Sequence, residues 1–328
     1  MRVKLLSILL VGLFSVVAGG VAQAQKPAAP RTSKAKPSTA TTRAVQAPPF
    51  DKLELFAFLA AGPFPPYAAE VIHDRKLSFE PDDAFLRYYP FEQVRDALDL
   101  ATPVEAKPMT AKRQQAFNHF SGVAEMVRNK QCNDADAELK AAIALASDSA
   151  SLHYAAASCQ LVSHDWQAAE KELRESLRLW PGNADAHGLL GYVLSNEGQN
   201  EAAIPELRES LRICPTHQGT IMLLGLTLAR TGKYDEAIPI LKQSSQLNHT
   251  VTYVEKMLGF CYVSTNQPSE AIDPLTQYIL SNPDDAEAHF FLGSALKALG
   301  KKEEARTQFQ EAARLEPRNQ QYRTASLE

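Results

Sequence analysis

The sequence predicts an all-α protein, an α-solenoid in which pairs of helices stack on one another. Three observations lead to this fold class. The chain repeats every 34 residues from residue 150 to residue 319, alanine recurs at one place in every copy, and glycine or alanine recurs twelve residues before it. A unit of this length holds two helices and two turns and cannot bury its own apolar face. Copies become stable by sharing a core, so we expect function to lie on the stacked surface.

Small residues mark the seam between the two helices of each copy. Counted from residue 150, position 20 is alanine in all five copies, and position 8 holds Ala157, Gly191, Gly225, Gly259 and Gly293. Glycine inside a helix costs about 1 kcal/mol relative to alanine, so four such glycines indicate a close approach of two helices. Proline at position 32 of most copies ends the second helix, because proline lacks the N–H that a helix needs.

These positions together resemble the tetratricopeptide repeat, through Leu190-Gly191, Leu224-Gly225, Leu258-Gly259 and Leu292-Gly293 with the alanine and proline that follow. A degenerate earlier copy retains Ala135 and Leu139 in the same frame. We therefore predict about six helix-turn-helix repeats over residues 116–319, in the frames 116–149, 150–183, 184–217, 218–251, 252–285 and 286–319. The resemblance implies a concave groove lined by the first helix of each repeat.

The N-terminus has the features of a secretory signal. A basic start is followed by an apolar run from Leu5 to Ala18 and by Ala22-Gln23-Ala24. The apolar run is shorter than the roughly 18 residues of a membrane span, and no later segment is long enough. We expect residues 1–24 to be cleaved after Ala24, which would make the protein periplasmic or secreted. An uncleaved anchor is the alternative.

Residues 25–49 predict a disordered basic tether, because they are rich in proline and alanine and contain five basic but no acidic residues. A spacer is the favoured role, although the tether could also contact anionic lipid or wall polymer, or fold back into the groove. The remaining residues, 50–328, hold 27 basic and 38 acidic residues, a net charge of −11. This acidic charge argues against nucleic-acid binding.

Residues 50–100 predict a small helical module of four helices, at 51–61, 66–77, 81–88 and 91–100. Its apolar residues could form one small core, and the module either packs on the first repeat or forms a separate mini-domain. Residues 101–115 would supply a linker and the start of the first repeat helix, and residues 320–328 a short C-terminal cap.

No pattern of catalytic, cofactor-binding or metal-binding residues is evident, so we expect neither enzyme activity nor a cofactor. Histidines recur at position 4, but equivalent residues of successive repeats lie about 10 Å apart, too far to share a zinc ion. They are predicted to be packing residues. Cys132 and Cys159 fall on the same edge of neighbouring repeats, which allows a disulfide. The alternative is that all four cysteines are buried as small apolar residues.

One surface stripe remains for function. Positions 2, 5, 9 and 12 of each first helix share one face, here called the stripe, and they are mostly apolar or aromatic. The predicted partner-binding groove comprises stripe residues and the two polar residues Asn196 and Arg230: Tyr154, Tyr192, Asn196, Met222, Leu226, Arg230, Tyr253, Phe260 and Phe290. As an alternative, the module at residues 50–100 buries part of this stripe.

The sequence therefore predicts a non-catalytic exported scaffold that holds a protein or peptide partner, either an apolar peptide or an amphipathic helix. The alternative belongs to another class. The last repeat is followed by only nine residues, so it could be poorly capped and assemble with a second copy into a structural homo-oligomer.

Overall fold

The computed structural model describes residues 48–81, 92–101, 104, 108–247 and 252–327. These residues form sixteen helices, and among them the only β-type pairing is an isolated bridge between Phe50 and Leu77. No helix in this part of the chain is both long and apolar enough to cross a bilayer. The chain divides into two compact units, one reaching residue 197 and including 212–215, the other made of residues 198–211 and those from 216 onward.

The first unit contains the module and the first repeats. Its helices are α1 (Lys52–Ala61), α2 (Pro65–Arg75), α3 (Glu92–Leu100), α4 (Ala111–Arg128), α5 (Cys132–Leu145), α6 (Ala150–Val162), α7 (Trp166–Leu179) and α8 (Ala184–Asn196). Three of the four predicted module helices are therefore confirmed, and the one predicted at 81–88 lies almost entirely outside the described residues. Helix α4 begins five residues before the repeat frame, as expected for a linker that leads into it.

The second unit contains the later repeats. Its helices are α9 (Asn200–Ile213, all but the last two residues), α10 (Gln218–Arg230), α11 (Tyr234–Leu247), α12 (Thr252–Ser264), α13 (Pro268–Ser281), α14 (Ala286–Ala298), α15 (Lys302–Leu315) and α16 (Gln320–Leu327). Helix starts recur at intervals of 34 residues, and α16 begins where the first helix of a further repeat would begin.

Short side chains at the N-caps explain where the first helices begin. Ser149 accepts a hydrogen bond from the backbone N–H of Leu152, and Asp285 accepts one from Ala288. Such a cap satisfies one of the N–H groups that the first helical turn leaves without a partner.

The turn inside each repeat also has a fixed backbone conformation. Position 15 adopts a positive φ in all six repeats, which is the left-handed conformation that ends a helix. Glycine, which adopts it without steric cost, occupies this position in three repeats. The other three place a side chain there: Lys130, His164 and Asn266.

The predicted close approach of paired helices is confirmed at position 8. A Cβ atom added to Gly225 would lie 2.8 Å from Cδ2 of Leu241, and one added to Gly293 would lie 2.7 Å from the ring of Phe309. Both partners occupy position 24 of the second helix. A methyl group at either glycine would make its partner side chain shift, because ordinary carbon contacts need about 3.5 Å or more.

Helix α16 covers the end of the last repeat. Tyr322 is buried against Ala286 and Ala312, and Phe290 packs beside it. The expected poor capping of the last repeat is thus revised, since the eight residues of α16 are enough to place an aromatic ring over the core of α14 and α15.

Candidate functional site

Helix α1 fills the stripe of the first two repeats. The ring of Phe56 lies 5.5 Å from that of Phe117 and 6.0 Å from that of Phe120, measured between ring centroids. The ring of Phe58 lies 6.2 Å from that of Tyr154. These partners occupy stripe positions 2 and 5 of α4 and position 5 of α6. The face that the sequence predicts to hold a partner is therefore occupied, in the first unit, by a segment of the same chain.

Charged groups fix the start of α1. The carboxylate of Glu54 accepts a hydrogen bond from the backbone N–H of Ser151, 3.2 Å away at the N-terminus of α6, where the helix dipole favours a negative charge. Arg113 pairs with Asp51 at 2.6 Å and reaches Glu54 at 3.4 Å. Burial opposes the charge of this guanidinium, but the surrounding carboxylates outweigh burial and raise the pKa of Arg113.

Two donors converge on the C-terminal end of α1. The backbone carbonyl of Ala61 accepts hydrogen bonds from Nζ of Lys130 at 3.2 Å and from Oγ of Ser158 at 3.3 Å. Lys130 also donates to Ser158 at 2.7 Å. Burial lowers the pKa of Lys130 to about 8. A donor with a positive charge is nevertheless well placed here, because the last carbonyls of a helix carry a partial negative charge.

The beginning of α2 contacts the third repeat. The hydroxyl of Tyr67 donates to the carbonyl of Gly182 at 2.7 Å and accepts from the N–H of Ala184 at 2.9 Å. The N–H of Phe64 donates to the carboxylate of Asp185, a stripe residue, at 3.2 Å. Burial raises the pKa of Tyr67 well above its usual range. The module therefore contacts all three repeats of the first unit, which answers the sequence-level choice between packing on the repeats and forming a separate domain.

Arg75, at the C-terminal end of α2, packs against aromatic rings of the module and of the second repeat. Its guanidinium carbon lies 3.7 Å from the ring centroid of Phe50 and 4.5 Å from that of Trp180. It also donates two hydrogen bonds to the carbonyl of Pro48. Burial lowers the pKa of Arg75 to about 10. Stacking on aromatic faces is the geometry in which a weakly hydrated guanidinium is most stable next to an apolar surface.

Two of the three predicted groove residues of the first unit are not open to a partner. Tyr154 is 3% exposed beneath α1, and Tyr192 is 1% exposed with its ring 5.9 Å from that of Trp166. Asn196 uses its side-chain amide to donate to the carbonyl of Tyr192. The expectation that Tyr154 and Tyr192 are groove anchors is corrected, because both belong to the core of this unit.

The second unit presents its stripe unevenly. Met222 and Leu226 on α10 are 4% and 2% exposed, so these two predicted anchors are also core residues, whereas Arg230 at the end of the same helix is exposed. Tyr253, Phe260 and Phe290 are half-buried. These three are the predicted aromatic anchors that remain accessible in the described residues.

The aromatic residues of α12 and α14 support one another. The ring of Phe260 lies 5.4 Å from that of Tyr234, edge to face, and 4.9 Å from that of Phe291. The ring of Phe290 lies 5.0 Å from that of Tyr322. Rings held in this way lose little conformational freedom when another molecule covers them, which favours binding. We call Tyr253, Phe260 and Phe290 the aromatic face.

A buried ion pair lies on the same stripe. Nζ of Lys256 lies 2.8 Å from the carboxylate of Asp285 and 2.6 Å from that of Glu287. Burial opposes the charge of Lys256, but the two carboxylates outweigh burial and raise the pKa of Lys256. Burial likewise opposes the charge of Asp285, but hydrogen bonds from Lys256 and Tyr278 outweigh it and lower the pKa of Asp285. Lys256 is therefore already neutralised and is not a free anchor for an acidic partner.

An open cavity of about 630 Å³ adjoins the aromatic face between α14 and α16. Apolar and uncharged polar groups make up most of its lining, and the one charged residue is Lys297; the lining residues are Phe290, Ser294, Lys297, Ala298, Phe309, Gln320, Gln321, Thr324 and Ala325.

The recurring histidines connect the two helices of their own repeats. Nδ1 of His153 lies 2.5 Å from the carboxylate of Glu172, and Nε2 lies 3.1 Å from the carbonyl of Ser147. His289 makes the same two contacts, with Gln308 and Pro283. The partner of each histidine on the second helix was not predicted. An acidic or amide residue recurs 19 positions after the histidine, and this spacing could have indicated the partner.

The structure also joins the two cysteines for which the sequence allows a disulfide. Sγ of Cys132 is bonded to Sγ of Cys159, with their Cα atoms 5.1 Å apart. Cys214 and Cys261 are buried and take no part in this disulfide, and burial raises the pKa of the Cys261 thiol to about 12.

Helix pairs at a 34-residue interval, with small residues at the seam, define a class of protein: an all-α helical-repeat protein. Three models described as tetratricopeptide repeat match residues 160–217, 228–289 and 286–319. The chain therefore contains tetratricopeptide repeats, and the predicted fold class is confirmed.

Solved structures of the same fold resemble the chain at low identity. One is described as "YrrB: a TPR protein with an unusual peptide-binding site", with a TM-score of 0.54 and 19% identity over 58% of this chain and 98% of that one. Another is pilF of Pseudomonas aeruginosa, with a TM-score of 0.51 and 18% identity over 66% of this chain and 98% of that one. Among curated proteins, none matches the chain significantly. At these identities the likeness concerns the fold alone.

Proposed function

We propose that the protein is a non-catalytic scaffold that holds a protein or peptide partner on the aromatic face of the second unit. The partner is an apolar peptide or an amphipathic helix.

The observation that carries the proposal is the way α1 lies on the first unit. Stripe position 5 contacts α1 through Phe120 and Tyr154, and the same position in α14 is the half-buried Phe290. Helix α1 is itself apolar, with Phe56 and Phe58 meeting the stripe. The chain thus contains an example of what its stripe binds, an apolar helix with aromatic side chains. In the second unit, aromatic ring surface on the first helices α12 and α14 is accessible to a similar segment of another molecule.

Two further features support this kind of partner. Because Lys256 is already paired with two carboxylates, it is not available to bind a carboxylate of the partner. The aromatic rings therefore provide most of the contact surface. The neighbour described as having an unusual peptide-binding site shows that a protein of this fold can bind peptide, and we extend peptide binding to this chain as part of the proposal.

We propose further that the protein acts outside the cytoplasm, after cleavage of residues 1–24. The signal sequence is the basis for this part of the proposal, and a disulfide is compatible with an oxidising compartment. Cell fractionation with N-terminal sequencing would test it: a mature chain beginning at Gln25 is expected, and an intact N-terminus in the cytoplasm would contradict it.

Site-specific photo-cross-linking tests the aromatic face directly. A photoreactive amino acid at Phe260 should cross-link a partner in cells, whereas the same group at Leu280 should not. Leu280 is a matched control because it is apolar and 72% exposed but lies on α13, a second helix.

A segment of the cross-linked partner can then be titrated against purified variants. Phe260→Asp should weaken binding at least tenfold, because the charge must be desolvated beneath the partner. Leu280→Asp should bind as the wild type does. Equal binding by the wild type and Phe260→Asp would refute the use of this face.

Self-assembly is the second candidate, and one observation favours it. Leu327 on α16 is 84% exposed, and α16 also forms one wall of the 630 Å³ cavity. Sedimentation of the purified protein over a range of concentrations distinguishes the two functions. A dimer that Leu327→Asp dissociates would support assembly, and a monomer at all concentrations would exclude it.

A further inference from the structure

The disulfide joins the two segments that hold the C-terminal end of α1. Lys130 lies two residues before Cys132, and Ser158 immediately precedes Cys159. Both side chains donate to the carbonyl of Ala61. Because the two donors come from different repeats, their distance from each other depends on the distance between those repeats at this edge. The covalent bond sets that distance.

Lys130 also adopts a backbone conformation that calls for an explanation. Its φ is 61°, at position 15 of the repeat, where three other repeats have glycine. A side chain is unfavourable in this left-handed conformation. At this position the ammonium of Lys130 reaches both Ser158 and Ala61, a contact that glycine could not make.

What these donors hold is the segment that fills the first-unit stripe. Helix α1 covers Phe120 and Tyr154, both of which are at most 3% exposed. At its other end, α1 is held by Glu54 and Asp51 through Arg113 and the N-terminus of α6. The C-terminal end has the Lys130 and Ser158 donors as its polar contacts among the described residues. We call these two donors, together with the disulfide, the latch.

We propose that the latch is redox-sensitive, so that reduction of the Cys132–Cys159 bond makes α1 open more often from the stripe of the first two repeats. The reductant is a dithiol. One of its thiolates attacks a cysteine sulfur and displaces the other as a thiolate; its second thiol then closes an intramolecular disulfide and frees the first cysteine. Two electrons and two protons pass to the protein, which gains two thiols, and the reductant leaves as a cyclic disulfide.

This inference concerns the first unit and is independent of the proposed partner site in the second. With the bond reduced, α5 and α6 can separate at this edge, and the two donors no longer converge on one carbonyl. Stripe residues Phe120 and Tyr154, which are buried beneath α1, are then exposed more often. The oxidised protein keeps them covered.

Hydrogen–deuterium exchange of the full-length chain, with and without dithiothreitol, tests the latch. Amides of α1 should exchange roughly tenfold faster after reduction, because two of the hydrogen bonds that oppose local opening are lost. Amides of α14 and α15 serve as the internal control and should not change. If α1 exchanges at the same rate in both states, the proposal fails.

Two variants distinguish a latch that acts on α1 from a bond that stabilises the repeats as a whole. Cys132→Ala with Cys159→Ala should show fast α1 exchange whether or not dithiothreitol is present. Lys130→Met with Ser158→Ala should show fast α1 exchange with the disulfide intact. If reduction accelerates α4, α5 and α6 as much as α1, the bond merely stabilises the repeats, and the proposal is overturned. It is also overturned if the Lys130→Met, Ser158→Ala variant behaves as the oxidised wild type.

Discussion

Two glycines, one at position 8 of the last repeat and one at an exposed position 7 of the first, offer a test of the repeat packing in which the same substitution has different effects. Gly293 lies on α14 with the ring of Phe309 and the carbonyl of Ala305 close to it, and an added Cβ would lie 2.7 Å and 3.2 Å from them. Gly122 lies inside α4 with no atom within 4 Å of an added Cβ. Gly122→Ala is therefore the matched control for Gly293→Ala.

The magnitudes follow from these distances. At both places alanine favours the helix by roughly 0.5–1 kcal/mol over glycine. At Gly293 the methyl group must also push a ring and a backbone carbonyl away from an already dense seam, and such overpacking costs about 1–3 kcal/mol. Gly122→Ala should thus stabilise the protein, and Gly293→Ala should be neutral to destabilising by about 2 kcal/mol.

Urea unfolding followed by circular dichroism measures the difference. The midpoint should rise for Gly122→Ala and should not rise for Gly293→Ala, with the dependence on urea unchanged. Amide exchange of α14 and α15 would locate the effect within the last repeat. Equal stabilisation by both substitutions would show that the helices of this repeat do not meet at position 8, and the packing argument would be refuted.

Three further predictions concern ionisable groups. Burial opposes the charge of His153, but the contacts of the imidazole with Glu172 and a carbonyl outweigh burial and raise the pKa of His153. The stability that His153 contributes is therefore complete below about pH 6.5, and it is lost as the pH rises through the raised pKa. Glu172→Gln should therefore lose most stability at acidic pH, and a pH-independent loss in urea unfolding would contradict this. Burial lowers the pKa of Lys130 to about 8, so between about pH 8 and 10.5 the unfolded chain binds more protons than the folded protein. The wild type should therefore gain stability relative to Lys130→Met as the pH rises through this range. A decrease in the stability difference between the two proteins would refute this prediction. Lys256→Met should cost about 2 kcal/mol, since it removes the cation that pairs with the half-buried carboxylate of Asp285. The pKa of Asp285 measured by NMR should rise, and an unchanged pKa would show that the two groups do not interact.

The local sequence predicted the helices of this protein well, and specific residues explain why. Apolar and small residues at fixed positions of a 34-residue unit determine two helices and a seam, and they do so in each copy separately. The same regularity allowed the glycine contacts at Gly225 and Gly293 to be anticipated. The frame also placed Cys132 and Cys159 on one edge, where the structure joins them.

The groove was predicted less well, because position in the repeat does not determine burial. Tyr154 and Phe290 both occupy stripe position 5, yet one is covered by α1 and the other is half-buried. The covering residues lie about a hundred positions earlier in the chain. One signal was available: α1 is apolar on nearly all sides, which is typical of a helix buried on more than one face.

The sequence by itself therefore determined the helical pairs and the face that each first helix presents, since these depend on contacts between residues less than one repeat apart. Tertiary structure decided which parts of that face are open. Helix α1 fills the stripe of α4 and α6 through Phe56 and Phe58 and is held near its two ends by contacts with residues about 70 to 100 positions later in the chain. Contacts of this kind follow from how the segments fold together, and no periodicity in the sequence encodes them.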